Sequence, residues 1–207
     1  MTFQEWLDRL VGQVSQTGLI EWAVLIFGVT EVLLAKANNI LLYPAGIIAT
    51  ILSVTVLFQA QLYGESFLNM YYFVMSVYGW WFWIKKKNAP PVEISKADKK
   101  DWFITLLIAL GGWIFLFFVL KNFTPSTVPA WDAWISSTAW AGMWLLARRK
   151  IENWILLNIS NAFAIPLLFQ KQLAMFSLLT IFLFVVACFG YADWMKKLKT
   201  RQQAADQ

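Results

Sequence analysis

Ile151-Glu152-Asn153-Trp154-Ile155-Leu156-Leu157-Asn158-Ile159-Ser160-Asn161 opens an apolar segment that runs on to Phe169. Trp154, Asn158 and Asn161 are spaced i, i+4, i+7, so a helix places them on one stripe. A carboxamide in hydrocarbon is costly without a partner. A neighbouring helix, a water-lined cavity or a ligand must therefore meet these amides.

The rest of the composition makes hydrocarbon the expected surroundings. The 207 residues are 59% hydrophobic and 14% charged, whereas a soluble domain carries about 25% charged residues. The chain reads as an all-α integral membrane protein. It has no histidine, and its one cysteine, Cys188, lies in an apolar run. Disulfides, Cys/His metal sites, haem ligation by His and Ser–His or Cys–His catalysis are excluded. No phosphate-binding glycine motif is present, and no cofactor or metal is expected. Met1-Thr2-Phe3-Gln4-Glu5 lacks a basic n-region, so no cleavable signal is expected. The net charge of +5 marks the cytoplasmic face, and no nucleic-acid partner is implied.

Phe3, Trp6, Leu7, Leu10, Val11 and Val14 share one helical face, opposite Gln4, Asp8, Arg9 and Gln13. This predicts a short N-terminal helix lying at the interface. Seven apolar segments then approach the roughly 20 residues that a bilayer demands. They are Gly18–Ala35, Ile40–Phe58, Phe67–Ile84, Trp102–Leu120, Trp131–Ala147, Ile151–Phe169 and Leu173–Trp194. Seven spans put the termini on opposite sides. Of the 17 basic residues, Arg9, Lys121 and Lys171 fall on the N-terminal side and all the others on the C-terminal side. The positive-inside rule places the N-terminus outside and the C-terminus in the cytoplasm.

Leu57-Phe58-Gln59-Ala60-Gln61-Leu62 matches Leu168-Phe169-Gln170-Lys171-Gln172-Leu173 at an offset of about 111 residues. The same offset pairs Gly79 with Gly190, Trp83 with Trp194 and Lys85-Lys86 with Lys196-Lys197. With a one-residue slip, Leu33-Leu34-Ala35-Lys36 matches Leu145-Leu146-Ala147-Arg148. Two three-helix repeats of the same orientation need an odd span between them, which Trp102–Leu120 supplies. The expected fold is seven transmembrane helices in a 3+1+3 arrangement of parallel repeats. Its parts are an amphipathic helix (1–17), a first repeat (18–87), a cytoplasmic loop with linker helix and outer loop (88–130), a second repeat (131–198) and a cytoplasmic tail (199–207). Repeat transporters hold substrate near the midplane, between the repeats.

This plan resembles that of SWEET-like transporters, and the local sequences resemble the PnuC family of bacterial vitamin transporters. The matching stretches are Asn38-Asn39-Ile40, Pro44-Ala45-Gly46-Ile47-Ile48, Leu62-Tyr63-Gly64-Glu65, Tyr72 to Trp80, and Met143 to Trp154. The run Ala147-Arg148-Arg149-Lys150-Ile151-Glu152-Asn153-Trp154 is the most specific. The resemblance implies facilitated diffusion of nicotinamide riboside across the bacterial inner membrane. A cytoplasmic kinase would drive net uptake, and the protein would be a homo-oligomer such as a trimer. Thiamine is the alternative cargo. The Trp-x-x-x-Asn pattern associated with the riboside matches Trp154 and Asn158.

The chemistry of such a cargo suits these residues. A tryptophan face attracts a flat cation, which assigns Trp154 to the pyridinium ring. Asn158 and Asn161 can donate to and accept from a carboxamide or ribose. Asn69, Tyr72 and Ser76 share a face in the first repeat and can oppose them. Trp140 and Trp144 share a deeper face of the fifth span, where they either line a pathway or pack. Gln59 and Gln170 form a symmetric cap or outer gate. Each amide can instead bond a neighbouring helix. Glu31 is expected to snorkel toward Lys36 at the inner interface. Trp22, Trp80, Trp81, Trp83, Trp102, Trp131, Trp134 and Trp194, near span ends, read as an aromatic belt. An intramembrane enzyme would need a nucleophile, an acid/base pair or a metal site, and none is visible. A ligand-free scaffold leaves the midplane amides unexplained.

Overall fold

The structure is a computed structural model that describes residues 3–59, 63–85, 93–170 and 174–205. Among these residues the chain is helical and has no strand beyond one isolated bridge between Ser95 and Lys150. Helix α1 (Phe3–Gln16) is the amphipathic segment. It bends away at 111° from the helix that follows and packs on the last helix, where Trp6 Nε1 donates to Ser177 Oγ at 3.1 Å. α2 (Leu19–Ala37) starts at Gly18, whose N–H donates to the Glu21 carboxylate at 3.0 Å. That contact satisfies an orphan donor at the helix start and gives Glu21 a capping role.

α3 (Leu42–Gln59) and α4 (Tyr63–Lys85) complete the first unit. α7 (Pro129–Ala147), α8 (Asn153–Gln170) and α9 (Ala174–Ala205) form the second. Pro129 opens α7, where its missing N–H costs nothing. Between the units run α5 (Lys99–Leu106), a π-helical turn (Leu107–Gly111) and α6 (Gly112–Phe123). The sequence predicts an uninterrupted helix here. The structure inserts the wide turn just before Gly112, where α6 meets α7: a Cβ on Gly112 would stand 3.4 Å from Ser137. The last helix also outruns its expected end at Trp194, so described residues of the expected tail are helical as far as Ala205.

Among the described residues, Lys99–Phe123 and Phe176–Arg201 are long and apolar enough to cross a membrane. The first presents Phe103, Leu107, Ile114 and Phe118 outward, each more than half exposed. In water such a surface would be a large apolar patch; in lipid it is solvated.

The helix contacts close into a ring. In order they run α2, α3, α4, α7, α8, α9 and back to α2, with α5–α6 outside against α7. Each unit's third helix thus packs on the first helix of the other. The detail repeats at the offset seen in the sequence. Asn38 and Arg149 both adopt the left-handed region, at φ 59° and 55°. Asn38 N–H bonds Ala35 O as Arg149 N–H bonds Leu146 O, and Asn39 N–H bonds Leu34 O as Lys150 N–H bonds Leu145 O. These bonds hold one constant offset through the ends of α2 and α7. The one-residue slip read from Leu33–Lys36 is therefore a coincidence of composition, corrected by the hydrogen-bond register.

Candidate functional site

The polar turn between α7 and α8 is built from the run Arg148 to Trp154. Asp101, 1% exposed, forms an ion pair with Arg148 at 3.0 Å and accepts from Lys150 Nζ at 2.9 Å. It also takes part in a reciprocal cap with Asp98, accepting that residue's N–H at 3.2 Å and donating its own to Asp98 Oδ1 at 2.7 Å. The segment 95–98 docks on the same turn. Ser95 N–H donates to Arg149 O at 3.2 Å and Ser95 O accepts from Ile151 N–H at 3.0 Å. The Glu152 carboxylate takes the Ala97 N–H at 2.8 Å, and Asn153 Nδ2 closes the turn onto Lys150 O at 2.6 Å. Arg149 lies over the Trp83 ring at 3.2 Å. Burial pushes its guanidinium down to about 10, with Tyr43 acting in the opposite sense, so it stays charged at neutral pH. The basic residues read as topology markers are therefore also the tie between the long loop and the second unit.

Beneath this turn lie two equivalent aromatic pairs. Trp83 stands edge-on to Tyr43 at 5.0 Å and 88°, and Trp194 edge-on to Trp154 at 5.6 Å and 88°. Trp83 Nε1 donates to Ala147 O at 3.0 Å, and Trp194 Nε1 to Lys36 O at 3.1 Å and Ala35 O at 3.2 Å. Each indole thus satisfies an orphan carbonyl at the end of the other unit's first helix. Trp83 and Trp194 are 6% and 0% exposed. Their place in the aromatic belt is corrected: each has a helix-end carbonyl within reach, so burial leaves no N–H unmet. Trp22, Trp80, Trp81, Trp102 and Trp131 do face outward. Glycines make the close approach possible. A side chain on Gly79 would collide with Tyr43, and one on Gly190 would stand 2.8 Å from Trp154. Gly190→Ala should destabilise the protein by about 1–3 kcal/mol through overpacking, read as a lower melting temperature in detergent.

The residues singled out from the sequence fall into three places. On the α8–α9 seam, Trp154 is 1% exposed and enclosed by Trp194 and Gly190. One turn on, Asn158 is half-buried; Nδ2 donates to Cys188 Sγ at 3.3 Å, while Oδ1 is buried without a partner among the described residues. Asn161 is half-buried. On the α4–α7 seam, Trp144 stacks on Tyr78 at 5.9 Å under the Arg148 cation, and Trp140 stacks on Tyr71 at 4.6 Å. Tyr71 Oη also donates to Trp140 O at 3.1 Å, so Trp140 is a packing residue. On α4, Asn69 and Tyr72 are half-buried and Ser76 is buried. The Gln59 side chain lies outside the described residues, and Gln170 is exposed. Near Pro166, Phe163 O accepts from Trp131 Nε1 at 2.9 Å.

Sequence reasoning missed the contact made by Glu31. Its carboxylate lies against Gly46 of α3 and does not reach toward Lys36, which pairs instead with Asp193 at 3.5 Å. The i to i+5 spacing to Lys36 suggested the first arrangement; only the missing Cβ of Gly46, on another helix, makes room for the second.

Comparison with known proteins bears on all of this. Residues 18–196 match the family model described as nicotinamide mononucleotide transporter. The chain is 24% identical over 212 residues to the nicotinamide riboside transporter PnuC of Escherichia coli K12, covering 90% of this chain and 89% of that one. The Shigella flexneri protein of that name matches to the same extent. A crystal structure of the vitamin B3 transporter PnuC superimposes with a TM-score of 0.71 at 21% identity, over 97% of this chain and 94% of that one. The fold is thus that of a helical membrane transporter. With most of its length inside the family model, this chain belongs to the PnuC family of nicotinamide mononucleotide transporters.

Proposed function

We propose that this protein carries nicotinamide riboside across the bacterial inner membrane by facilitated diffusion, without catalysis, and that phosphorylation by a cytoplasmic kinase makes uptake net inward. The observation that carries this reading is the six-helix ring with half-buried amides on its walls, in a chain whose curated relatives are named for that riboside. The family description names the mononucleotide, but the apolar stretches of the ring helices carry no cation for a phosphate. No Lys or Arg occurs in 18–35, 40–84, 131–147, 151–169 or 174–194. A buried phosphate without counter-charge is costly, so the uncharged ribose end fits better. Thiamine, also a flat cation, is the second candidate.

The topology belongs to the same proposal. The ring helices and α5–α6 make seven spans, 3+1+3, with the N-terminus outside and the C-terminus in the cytoplasm. The repeated hydrogen-bond register and the basic residues gathered at one end support it. A homo-oligomer, with a trimer as the simplest closed form, is part of this reading. Asn158 and Asn161 would hold the carboxamide or ribose, with Asn69, Tyr72, Ser76 and Trp144 on the facing wall. Trp154, enclosed in this conformation, would present its ring once α9 withdraws from α8. Gln59 would act at the far end.

Titration calorimetry of the purified protein tests the substrate. The riboside should bind, and Asn158→Ala should weaken it by about tenfold, the cost of a ligand amide left unpaired. Trp154→Ala should weaken it comparably. Proteoliposomes should equilibrate the riboside without ATP and accumulate it only with kinase and ATP inside. Binding of thiamine alone would replace the substrate; accumulation without kinase would reject facilitated diffusion.

A further inference from the structure

We infer that Glu31 is the counter-charge for the cationic ring of the cargo, and so the residue that selects a flat organic cation over its uncharged form. This rests on the vitamin reading above and adds to it the group that recognises charge.

The first argument is elimination among the acids of the ring helices. Glu21 caps α2, Asp132 accepts from Ser126 Oγ, Glu152 accepts from Ala97 N–H, and Asp193 pairs with Lys36. The side chain of Glu65 lies outside the described residues. Glu31 makes neither a hydrogen bond nor an ion pair among the described residues. It sits in the middle of α2's second half, half-buried, and its carboxylate fills the space left by Gly46. Tyr43 and Tyr72 are close enough to feel its charge. A carboxylate in a spanning helix is expensive and ordinarily marks a ligand or ion site.

The second argument comes from the repeat. The offset that relates the two units takes Glu31 to Gly142 and Gly46 to Leu157. In the second unit the same contact exists with the roles exchanged: Leu157 reaches over Gly142, where an added Cβ would stand 2.9 Å from its side chain. The helix pair therefore needs one filled and one empty position, and a leucine meets that need. Packing does not ask for a carboxylate in the first unit. A carboxyl group held there, with no basic residue in 18–35, 40–84, 131–147, 151–169 or 174–194 to pair with it, takes up its charge when a cation arrives. Burial of an unpaired charge is repaid when an opposite charge arrives.

The cargo can be offered with and without its charge. Nicotinamide riboside carries a pyridinium cation; its reduced dihydropyridine form is neutral and nearly isosteric. Binding of both, and of thiamine, is measured by calorimetry for the wild type, Glu31→Gln and Glu31→Leu, each checked for an unchanged elution profile. The leucine variant copies the second unit's packing and should fold. Wild type should prefer the cation. Both variants should lose about tenfold or more in affinity for the riboside cation, and for thiamine if it binds. Affinity for the neutral form should hold within about twofold. Equal loss of both forms would make Glu31 a structural residue, and unchanged preference for the cation would remove it from the site; either overturns the proposal alone. Wild type that binds none of the three overturns the vitamin reading, and the ligand assigned here with it.

Discussion

Asp101→Ala should cost the protein about 3–5 kcal/mol, the range for removing one member of a buried ion pair. Asp101 is almost fully enclosed while Arg148 and Lys150 retain 30% and 14% of their side-chain exposure, so the low end of that range is expected. Three contacts fail together. Arg148 and Lys150 lose their shared anion and are left as two cations on one turn. Asp98 loses the reciprocal bond of the cap at the start of α5. The segment 95–98, pinned to the same turn by Ser95 and Glu152, loses the helix end that anchors it. The change is read as the melting temperature in detergent, together with proteolysis of the loop before α5. Lys150→Met in the Asp101→Ala background should recover part of the loss, because it removes an uncompensated charge. A variant as stable as wild type would mean that the Ser95 and Glu152 bonds hold the loop unaided.

The second large effect is expected at Trp83 and Trp194. Truncating either to alanine should cost about 3–5 kcal/mol, as for buried aromatic side chains generally. Phenylalanine separates the contributions. It keeps the edge-on contact with Tyr43 or Trp154 but removes the N–H that meets Ala147 O or Lys36 O. Trp83→Phe and Trp194→Phe should each cost about 1–3 kcal/mol for the carbonyl left unmet. Because each indole ties one unit to the other, both should also raise accessibility between α2 and α9, or α4 and α7, to a small thiol reagent at an engineered cysteine. Equal behaviour of the two variants is the mark of an equivalent pair. A large loss at one and none at the other would mean that the repeat is geometric without being energetic.

Several elements were legible in the sequence for identifiable reasons. Helical apolar periodicity and the shortage of charge point to helices in lipid, since few other solutions satisfy a backbone there. The amphipathic α1 and, to within about two residues, the bounds of α7 and α8 follow from patterns local to the chain. Asn158 stands out in the sequence because a carboxamide in an apolar run is costly wherever the run packs, and among the described residues its Oδ1 has no partner.

Tertiary structure decided the rest, because the deciding partner lies far along the chain. Trp83 and Trp194 resemble belt residues until carbonyls from the other unit reach them. The basic run from Arg148 reads as a topology signal until Asp101, 47 positions earlier, buries beneath it. Glu31 looks poised to snorkel until Gly46 on a neighbouring helix opens the space that receives it. Periodicity and composition fix which face of a helix is apolar. Which group on another helix answers a polar side chain depends on packing that no local pattern encodes.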